Sequence, residues 1–137
     1  MHASLWVGAA LVLASVPLTG RLASQRSAAP PGQALYLTHC ATCHGTSGRG
    51  DGPMAQYLRV PPANLSSIAA RNKGVFPTST IQRIVDGRQM LAVHGSGMPI
   101  WGDAFSPAGN GAEDEVAAAK IRAIVAYLES MQDHPGE

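Results

Sequence analysis

The five residues from Cys40 to His44 constrain the fold of this chain more than any other part of its sequence. They read Cys-Ala-Thr-Cys-His, and the pattern C-x-x-C-H is typical of the covalent attachment of a c-type haem. In such a site each thiol bonds to a vinyl group of the haem, and the histidine that follows is an axial ligand of the iron. Cys40, Cys43 and His44 are therefore the predicted haem-binding residues, and the chain has to fold around a flat ring.

Two other kinds of site use the same cysteine spacing. A thioredoxin-like dithiol needs a βαβ environment, but residues 53–62, which follow the motif, show no strand-like alternation. A structural zinc site needs four ligands, and the sequence has only two cysteines. Haem attachment is therefore the preferred interpretation.

The first 24 residues resemble a secretory signal peptide. Residues 5–16 are largely apolar, and small residues near position 23 are suited to cleavage. The whole apolar run, 3–18, is shorter than the roughly 20 residues of a membrane-spanning helix, and it contains Pro17. We predict a signal peptide over 1–24 and a linker over 25–30, with an uncleaved membrane anchor as the alternative.

Export and haem attachment support one another. In the families known to carry it, c-type haem is attached after the protein has crossed the membrane, which predicts a periplasmic protein. With both cysteines bonded to haem, no disulfide can form, and the haem itself would hold the small domain together. The sequence has ten basic and nine acidic residues and no basic run, so it gives no support for nucleic-acid binding.

The rest of the sequence predicts an all-α fold of about four short helices joined by long loops. No segment of any length alternates as a strand does. Glycine and proline are frequent in two stretches, 45–62 and 88–107, which we predict to be loops. The predicted helices are 33–43, 64–71, 78–86 and a last one that follows residue 110.

The helix ends carry their own signals. Asn64 and Thr78 are candidate N-caps, and Gly87 would end the helix that begins at Thr78. Asn110 and Glu113 have the spacing of a capping box at the start of the last helix. This last helix has apolar residues at spacings of three and four, as expected for a buried face: Ala117, Ile121, Ile124, Leu128 and Met131.

The second axial position of the iron calls for a further ligand, and methionine is a known one. Met54 lies only ten residues after His44, and Met131 belongs to the apolar face of the last helix. Met98 is far from the motif, in a Gly-Ser-Gly-Met-Pro segment, and is the preferred candidate. His94, four residues earlier, is the alternative and would give a bis-histidine iron of lower potential.

Further residues connect the motif to a known family. Gly32 and Tyr36 lie eight and four residues before Cys40, and Ile124 and Tyr127 lie three apart in the last helix. On these residues and four short stretches, the chain resembles a class I cytochrome c of the bacterial single-haem type over about 31–132. The stretches are Cys43-His44-Gly45, Gly50-Asp51-Gly52-Pro53, Pro61-Pro62-Ala63-Asn64-Leu65 and Met98-Pro99-Ile100-Trp101-Gly102.

The resemblance implies a cytochrome c fold wrapped around one covalent haem, in a domain we place at 31–133 with a tail at 134–137. It implies that the first and last helices cross where Gly32 lacks a side chain. It also implies that Met98 is the distal iron ligand, that Pro62 lies beside the haem, and that Trp101 packs near the haem or donates to its propionates.

Other roles follow from the same resemblance. A carbonyl such as that of Pro53 would accept the free N–H of His44, because metal-bound histidines usually donate to such a partner. Tyr57 and Arg59 are candidate donors to the haem propionates, with packing or a solvated surface as the alternative. His39 is interpreted as a surface residue.

These observations predict an electron carrier with one haem c, not an enzyme, that serves periplasmic or membrane-bound redox partners. It would meet a membrane only through those partners or an uncleaved leader. One alternative is a permanently bound haem subunit of a dehydrogenase or oxidase. The other is a haem enzyme or gas-binding protein with an open iron position, in which His94 or Arg88 would be the distal hydrogen-bond donor.

Overall fold

The structure is a computed structural model that describes residues 29–89, 97–109 and 111–133. Within these ranges all regular secondary structure is helical, which confirms the all-α prediction. No helix in the described part is both long enough and apolar enough to cross a bilayer. The predicted leader, most of the linker, His94, Asn110 and the tail lie outside the described residues.

The haem motif lies at a break between two helices. Helix α1, Gln33–His39, and helix α2, Ala41–His44, together cover the range where the sequence predicts one continuous helix. The break is at Cys40, where φ is −115°, well away from the helical value near −63°. Gly45 then turns the chain at φ 79°, a conformation that glycine adopts without strain.

The loop after the motif is longer than predicted. It includes a 3₁₀ turn, Ala55–Tyr57, and it ends only at helix α3, Ile68–Arg71. The prediction of Asn64 as a helix cap is wrong. Its Oδ1 accepts hydrogen bonds from the backbone N–H and the hydroxyl of Ser66, at 2.9 and 2.8 Å. Local turns of this kind compete with helix formation, which explains the late start of α3.

Helix α4 has the predicted limits, Thr78–Asp86. Gly87 ends it in the left-handed conformation, at φ 78°, as glycine often does directly after a helix. The prediction of Thr78 as the N-cap is wrong, because Pro77 has the N-cap position and Thr78 is the first helical residue. Ile81 and Val85 are buried, so this face of α4 packs against the core.

The predicted loop over 88–107 contains a short helix, α5, Trp101–Phe105. A loop was predicted there because glycine and proline flank the segment closely. The turn it forms is too short to show helical periodicity. Gly102 within it is buried and lies against α4, since a Cβ atom there would be 2.8 Å from Asp86 Oδ1.

The last helix, α6, is Gly111–Ser130. Its predicted apolar face is confirmed, because Ala117, Ile121, Ile124 and Leu128 are each at most 3% exposed. Glu113 accepts a hydrogen bond from the backbone N–H of Ala108 at 2.9 Å. The capping box itself is not tested, since its partner Asn110 lies outside the described residues.

Helices α1 and α6 cross at Gly32, as expected. A Cβ atom on Gly32 would lie against the carbonyl of Ala123 and 2.9 Å from the backbone nitrogen of Ile124. Tyr36 is fully buried at the crossing, and its ring centroid is 5.3 Å from that of Tyr127. The crossing therefore packs the helix that leads into the haem motif onto the last helix.

Gln132 joins the end of the chain to the loop after the haem motif. Its side-chain Nε2 donates to the carbonyls of Leu65 and Leu128 at 2.8 and 2.7 Å. Its Oε1 accepts from the backbone N–H of Ala69 at 2.9 Å. Because Gln132 is buried, these bonds satisfy polar groups that water does not reach.

Candidate functional site

The two thiols of the motif lie on one turn of the chain. Cys40 is buried, Cys43 is half-buried, and no disulfide joins them. Burial, with a smaller contribution from the neighbouring Cys43, raises the pKa of the Cys40 thiol to about 11. Dithiol redox catalysts depend on a lowered thiol pKa, so the local environment does not favour the thioredoxin-like alternative.

The imidazole of His44 is fixed by a backbone carbonyl. Its Nδ1 lies 3.0 Å from the carbonyl oxygen of Ala63. Because a carbonyl oxygen only accepts, Nδ1 carries the proton and the lone pair of Nε2 is available for a metal. The expectation that Pro53 is the acceptor is wrong, since the Pro53 carbonyl instead accepts from the side chain of Gln56 at 3.3 Å.

The loop returns to His44 through two glycines. The backbone N–H of Gly50 donates to the carbonyl of His44 at 2.8 Å, and that of Leu65 donates to the carbonyl of Gly48 at 2.6 Å. A Cβ atom on Gly50 would lie against the carbonyl oxygen of Pro62, so only glycine allows this approach. Pro62 is thus brought to the motif, and its contact with the haem stays a prediction.

Gly52 seals the turn that carries the motif. Its N–H donates to the carbonyl of Cys43 at 3.1 Å. A Cβ atom at this position would lie 2.5 Å from the carbonyl oxygen of Thr42 and 2.6 Å from that of Ala41. The haem motif and the Gly-Asp-Gly stretch after it are therefore one closely packed unit.

Met98 lies on a second segment of the chain and is half-buried. A Cβ atom on the preceding Gly97 would be 3.8 Å from Leu58 Cδ2, so this segment meets the loop that leaves the haem motif. His94, the alternative ligand, lies outside the described residues.

An aromatic cluster joins the two segments. The ring of Trp101 stacks on that of Phe105, with centroids 5.2 Å apart. The interpretation of His39 as a surface residue is wrong: it is half-buried, and its ring lies edge-on to Trp101 and Phe105, at 5.3 and 5.1 Å. Because His39 precedes Cys40 and Trp101 follows the segment of Met98, the cluster ties the two sides of the site together.

Arg88 is bound by two carboxylates. Its Nε and Nη2 donate to the two oxygens of Asp86 at 2.9 and 2.7 Å, and its Nη1 donates to Asp114 at 2.8 Å. The hydrogen bonds from Arg88 lower the pKa of Asp86, and those to both carboxylates raise the pKa of Arg88. The guanidinium thus links the end of α4 to α6.

The residues of this site fit a covalently held haem c. The motif offers two unbridged thiols and a histidine nitrogen in the ligand form. Close to it in sequence, Tyr57 and Val60 are 72% and 68% exposed, and apolar side chains exposed together often mark a ligand or partner surface. Arg59, between them, is also exposed, and its role toward the propionates, like that of Tyr57, stays a prediction.

A comparison with known families places this chain. A sequence model described as Cytochrome c matches residues 29–132. The chain belongs to the cytochrome c family. Its cofactor is therefore haem c, and this cytochrome is a haem-binding electron-transfer protein that works with redox partner proteins. Comparisons with curated proteins and with solved structures gave no match.

Two hydrogen bonds near the motif of this cytochrome were not predicted from the sequence. Ala63 binds His44 through its backbone, so no side chain signals it. The hydroxyl of Tyr36 donates to the carbonyl of Gly45 at 2.6 Å. The sequence signal for this hydrogen bond is that residue 36 is tyrosine and not phenylalanine, which has no hydroxyl.

Proposed function

We propose that this cytochrome is a single-haem electron carrier in which His44 and Met98 are the axial ligands of the iron. The observation that carries the proposal is the bond between His44 Nδ1 and the Ala63 carbonyl. It holds the imidazole in the tautomer that binds a metal through Nε2. Met98 supports it as a half-buried thioether on a segment that meets the loop of the motif at Leu58.

The protein's own share of electron transfer is to keep the ligands and their surroundings unchanged while the iron changes charge. The haem supplies the one-electron chemistry. The backbone hydrogen bonds around His44 and the aromatic cluster of His39, Trp101 and Phe105 hold the two sides in place. Such a carrier needs no substrate pocket and no acid–base residue, so we propose that it is not an enzyme.

We further propose that the carrier works in the periplasm, exported by the signal peptide at 1–24. Its partners would be a dehydrogenase that donates electrons and an oxidase or other acceptor. Encounters between electron carriers are small and short-lived, and the exposed side chains of Tyr57 and Val60 offer a partly apolar rim for them. A permanently bound haem subunit would use the same ligands, and membrane contact would come only through partners or an uncleaved leader.

The haem enzyme or gas-binding alternative has less support. It needs a distal hydrogen-bond donor, and the guanidinium of Arg88 is held by Asp86 and Asp114. That leaves His94 as the other candidate donor from the sequence. The same histidine is the alternative to Met98 as the axial ligand, so one experiment addresses both.

The test is the visible spectrum of the loaded protein and of Met98→Ala. We expect a six-coordinate, low-spin iron with a sulfur-to-iron charge-transfer band, which disappears in Met98→Ala together with a fall in reduction potential. The matched control is Met54→Ala, because Met54 is 42% exposed and its loss should leave the band intact. A high-spin wild-type iron, or a band that persists in Met98→Ala, would refute the ligand assignment.

A further inference from the structure

The hydroxyl of Tyr36 is buried directly behind the residue that binds the iron. It donates a hydrogen bond of 2.6 Å to the carbonyl of Gly45, which follows His44 in the chain. The residue has no exposed surface, and burial is the largest of the causes that raise the pKa of its phenol. Tyr36 is therefore a neutral donor held in place by the crossing of α1 and α6.

The backbone of Gly45, the residue after His44, makes two further hydrogen bonds. The carbonyl of Gly45 also accepts from the N–H of Gly48, at a longer 3.2 Å, and the N–H of Gly45 donates to the carbonyl of Ala41 at 2.8 Å. A Cβ atom on Gly45 would lie against the carboxylate of Asp51. Of the two donors to the Gly45 carbonyl among the described residues, the Tyr36 hydroxyl is the closer, and it comes from α1.

We propose that Tyr36 is a positioning residue for the iron ligand: its hydroxyl holds the carbonyl of Gly45, the residue after His44, and through this backbone it sets the orientation of the His44 ring. This inference rests on the proposed function, since it takes His44 as an axial ligand. Ala63 fixes the rotation of the ring about its own bond. The hydroxyl of Tyr36 fixes the backbone at Gly45, next to the residue that carries the ring.

The hydroxyl also has an electrostatic effect. Its hydrogen offsets the partial negative charge of a buried carbonyl oxygen, and an unbalanced oxygen in a low-dielectric interior acts strongly on nearby charge. Without the hydroxyl the more negative surroundings favour ferric over ferrous iron. We expect Tyr36→Phe to shift the ferric-to-ferrous ratio at a fixed applied potential roughly threefold toward ferric, by the loss of one buried hydrogen bond.

The chain contains a matched control for this change. The ring of Tyr127 lies 5.3 Å from that of Tyr36, is half-buried, and packs against the same core. Within the described residues its hydroxyl has no hydrogen-bond partner. Tyr127→Phe removes the same atom from the same aromatic pair but leaves the Gly45 carbonyl bonded.

The experiment compares loaded wild type, Tyr36→Phe and Tyr127→Phe by redox titration and by proton NMR of the ferric form. In low-spin ferric haem the spread of the haem methyl shifts follows the orientation of the axial ligands. We expect Tyr36→Phe to lower the potential and change this spread, and Tyr127→Phe to change neither. If both variants match wild type, or both move alike, Tyr36 has no positioning role.

A second variant covers the case in which Tyr36→Phe does not fold. In a background of Tyr57→Phe and Tyr127→Phe, growth on 3,5-difluorotyrosine places the label at Tyr36 alone and makes its hydroxyl a stronger donor. Relative to the same double variant grown on ordinary tyrosine, the potential should then rise, opposite to the effect of phenylalanine, and a fall or no change would overturn the proposal. The charge-transfer band of the wild type separates this outcome from failure of the His44 and Met98 assignment, which would remove the band in every sample.

Discussion

The segment that carries His44 can be compared with the segment that carries Met98. Around His44 the backbone is closed by hydrogen bonds within the loop itself, including those of Gly50 and Gly52 at 2.8 and 3.1 Å. In 97–100, the described backbone bond joins the carbonyl of Ile100 to α5 at 3.0 Å, and the aromatic cluster supplies the packing. One side of the site is thus fixed by local backbone geometry, and the other by tertiary packing.

The difference implies that the two sides respond to different changes. A backbone turn tolerates loss of distant side chains but not an added atom within it. A packed segment tolerates an added atom at its open edge but not loss of the rings that support it. Substitutions on the two segments should therefore differ in their effect on stability.

The largest effect is expected for Phe105→Ala. Phe105 is 9% exposed, and its ring contacts those of Trp101 and His39. Truncation of a buried phenylalanine costs about 3 kcal/mol of unfolding free energy, measured by denaturant titration. The charge-transfer band should also be lost at a lower temperature than the helical circular dichroism, because the Met98 side loosens first.

The control for that variant is Val116→Ala. Val116 is 52% exposed on α6, so the free energy of unfolding should change by no more than about 0.5 kcal/mol. If Phe105→Ala loses the band and the helical signal in one transition, the view that the Met98 side depends on this packing is incorrect.

An intermediate effect is expected from a matched pair of glycines. Gly52→Ala adds a methyl group in direct conflict with the carbonyls of Thr42 and Ala41, and overpacking of this kind costs about 1–3 kcal/mol. Among the described residues, the added methyl group of Gly97→Ala meets only Leu58, at an ordinary 3.8 Å, and should change the free energy of unfolding by less than about 1 kcal/mol. Equal effects in urea titrations of the two variants would remove the distinction between the two sides.

The smallest effect is expected for the ion-pair cluster of Asp86, Arg88 and Asp114. Hydrogen bonds from Arg88 lower the pKa of Asp86 in the folded protein, whereas the pKa of an aspartate in an unfolded chain is about 3.9. The stabilisation is therefore present above that value and is lost as pH falls through the lower folded pKa. We expect about 1 kcal/mol of acid-dependent stability, absent in Asp86→Asn.

That experiment is a set of thermal melts between neutral pH and the acid range. The control is Asp103→Asn, which removes an exposed carboxylate on α5 and should keep the acid dependence of wild type. A pH dependence that is the same in Asp86→Asn and wild type would show that the cluster does not stabilise this part of the fold.

The sequence was most informative where spacing or a special residue dictates structure. The limits of α4, its end at Gly87 and the buried face of α6 follow from periodicity and glycine chemistry. The crossing at Gly32 followed from the family resemblance and is confirmed by the packing against Ala123.

The errors have physical causes of a different kind. The turn at Asn64 depends on local hydrogen bonds that compete with helix formation. The burial of His39 and the partner of His44 depend on long-range contacts that no short window of sequence contains. The haem-attachment motif was evident from the sequence, but the contact that orients His44 was not.

Gln132 has a consequence for the order in which the chain folds. Its bonds to Leu65 and Ala69 span 67 and 63 residues. The contact of α1 with α6, between Gly32 and Ala123, spans a still longer part of the chain. Contacts of such long separation form late, because the entropy of closing a large chain loop has to be overcome first. The far end of the loop, at Leu65 and Ala69, is therefore joined to the core only once the C-terminal helix has docked. A nascent chain still lacking that helix would present its two cysteines beside a loop whose far end is unattached.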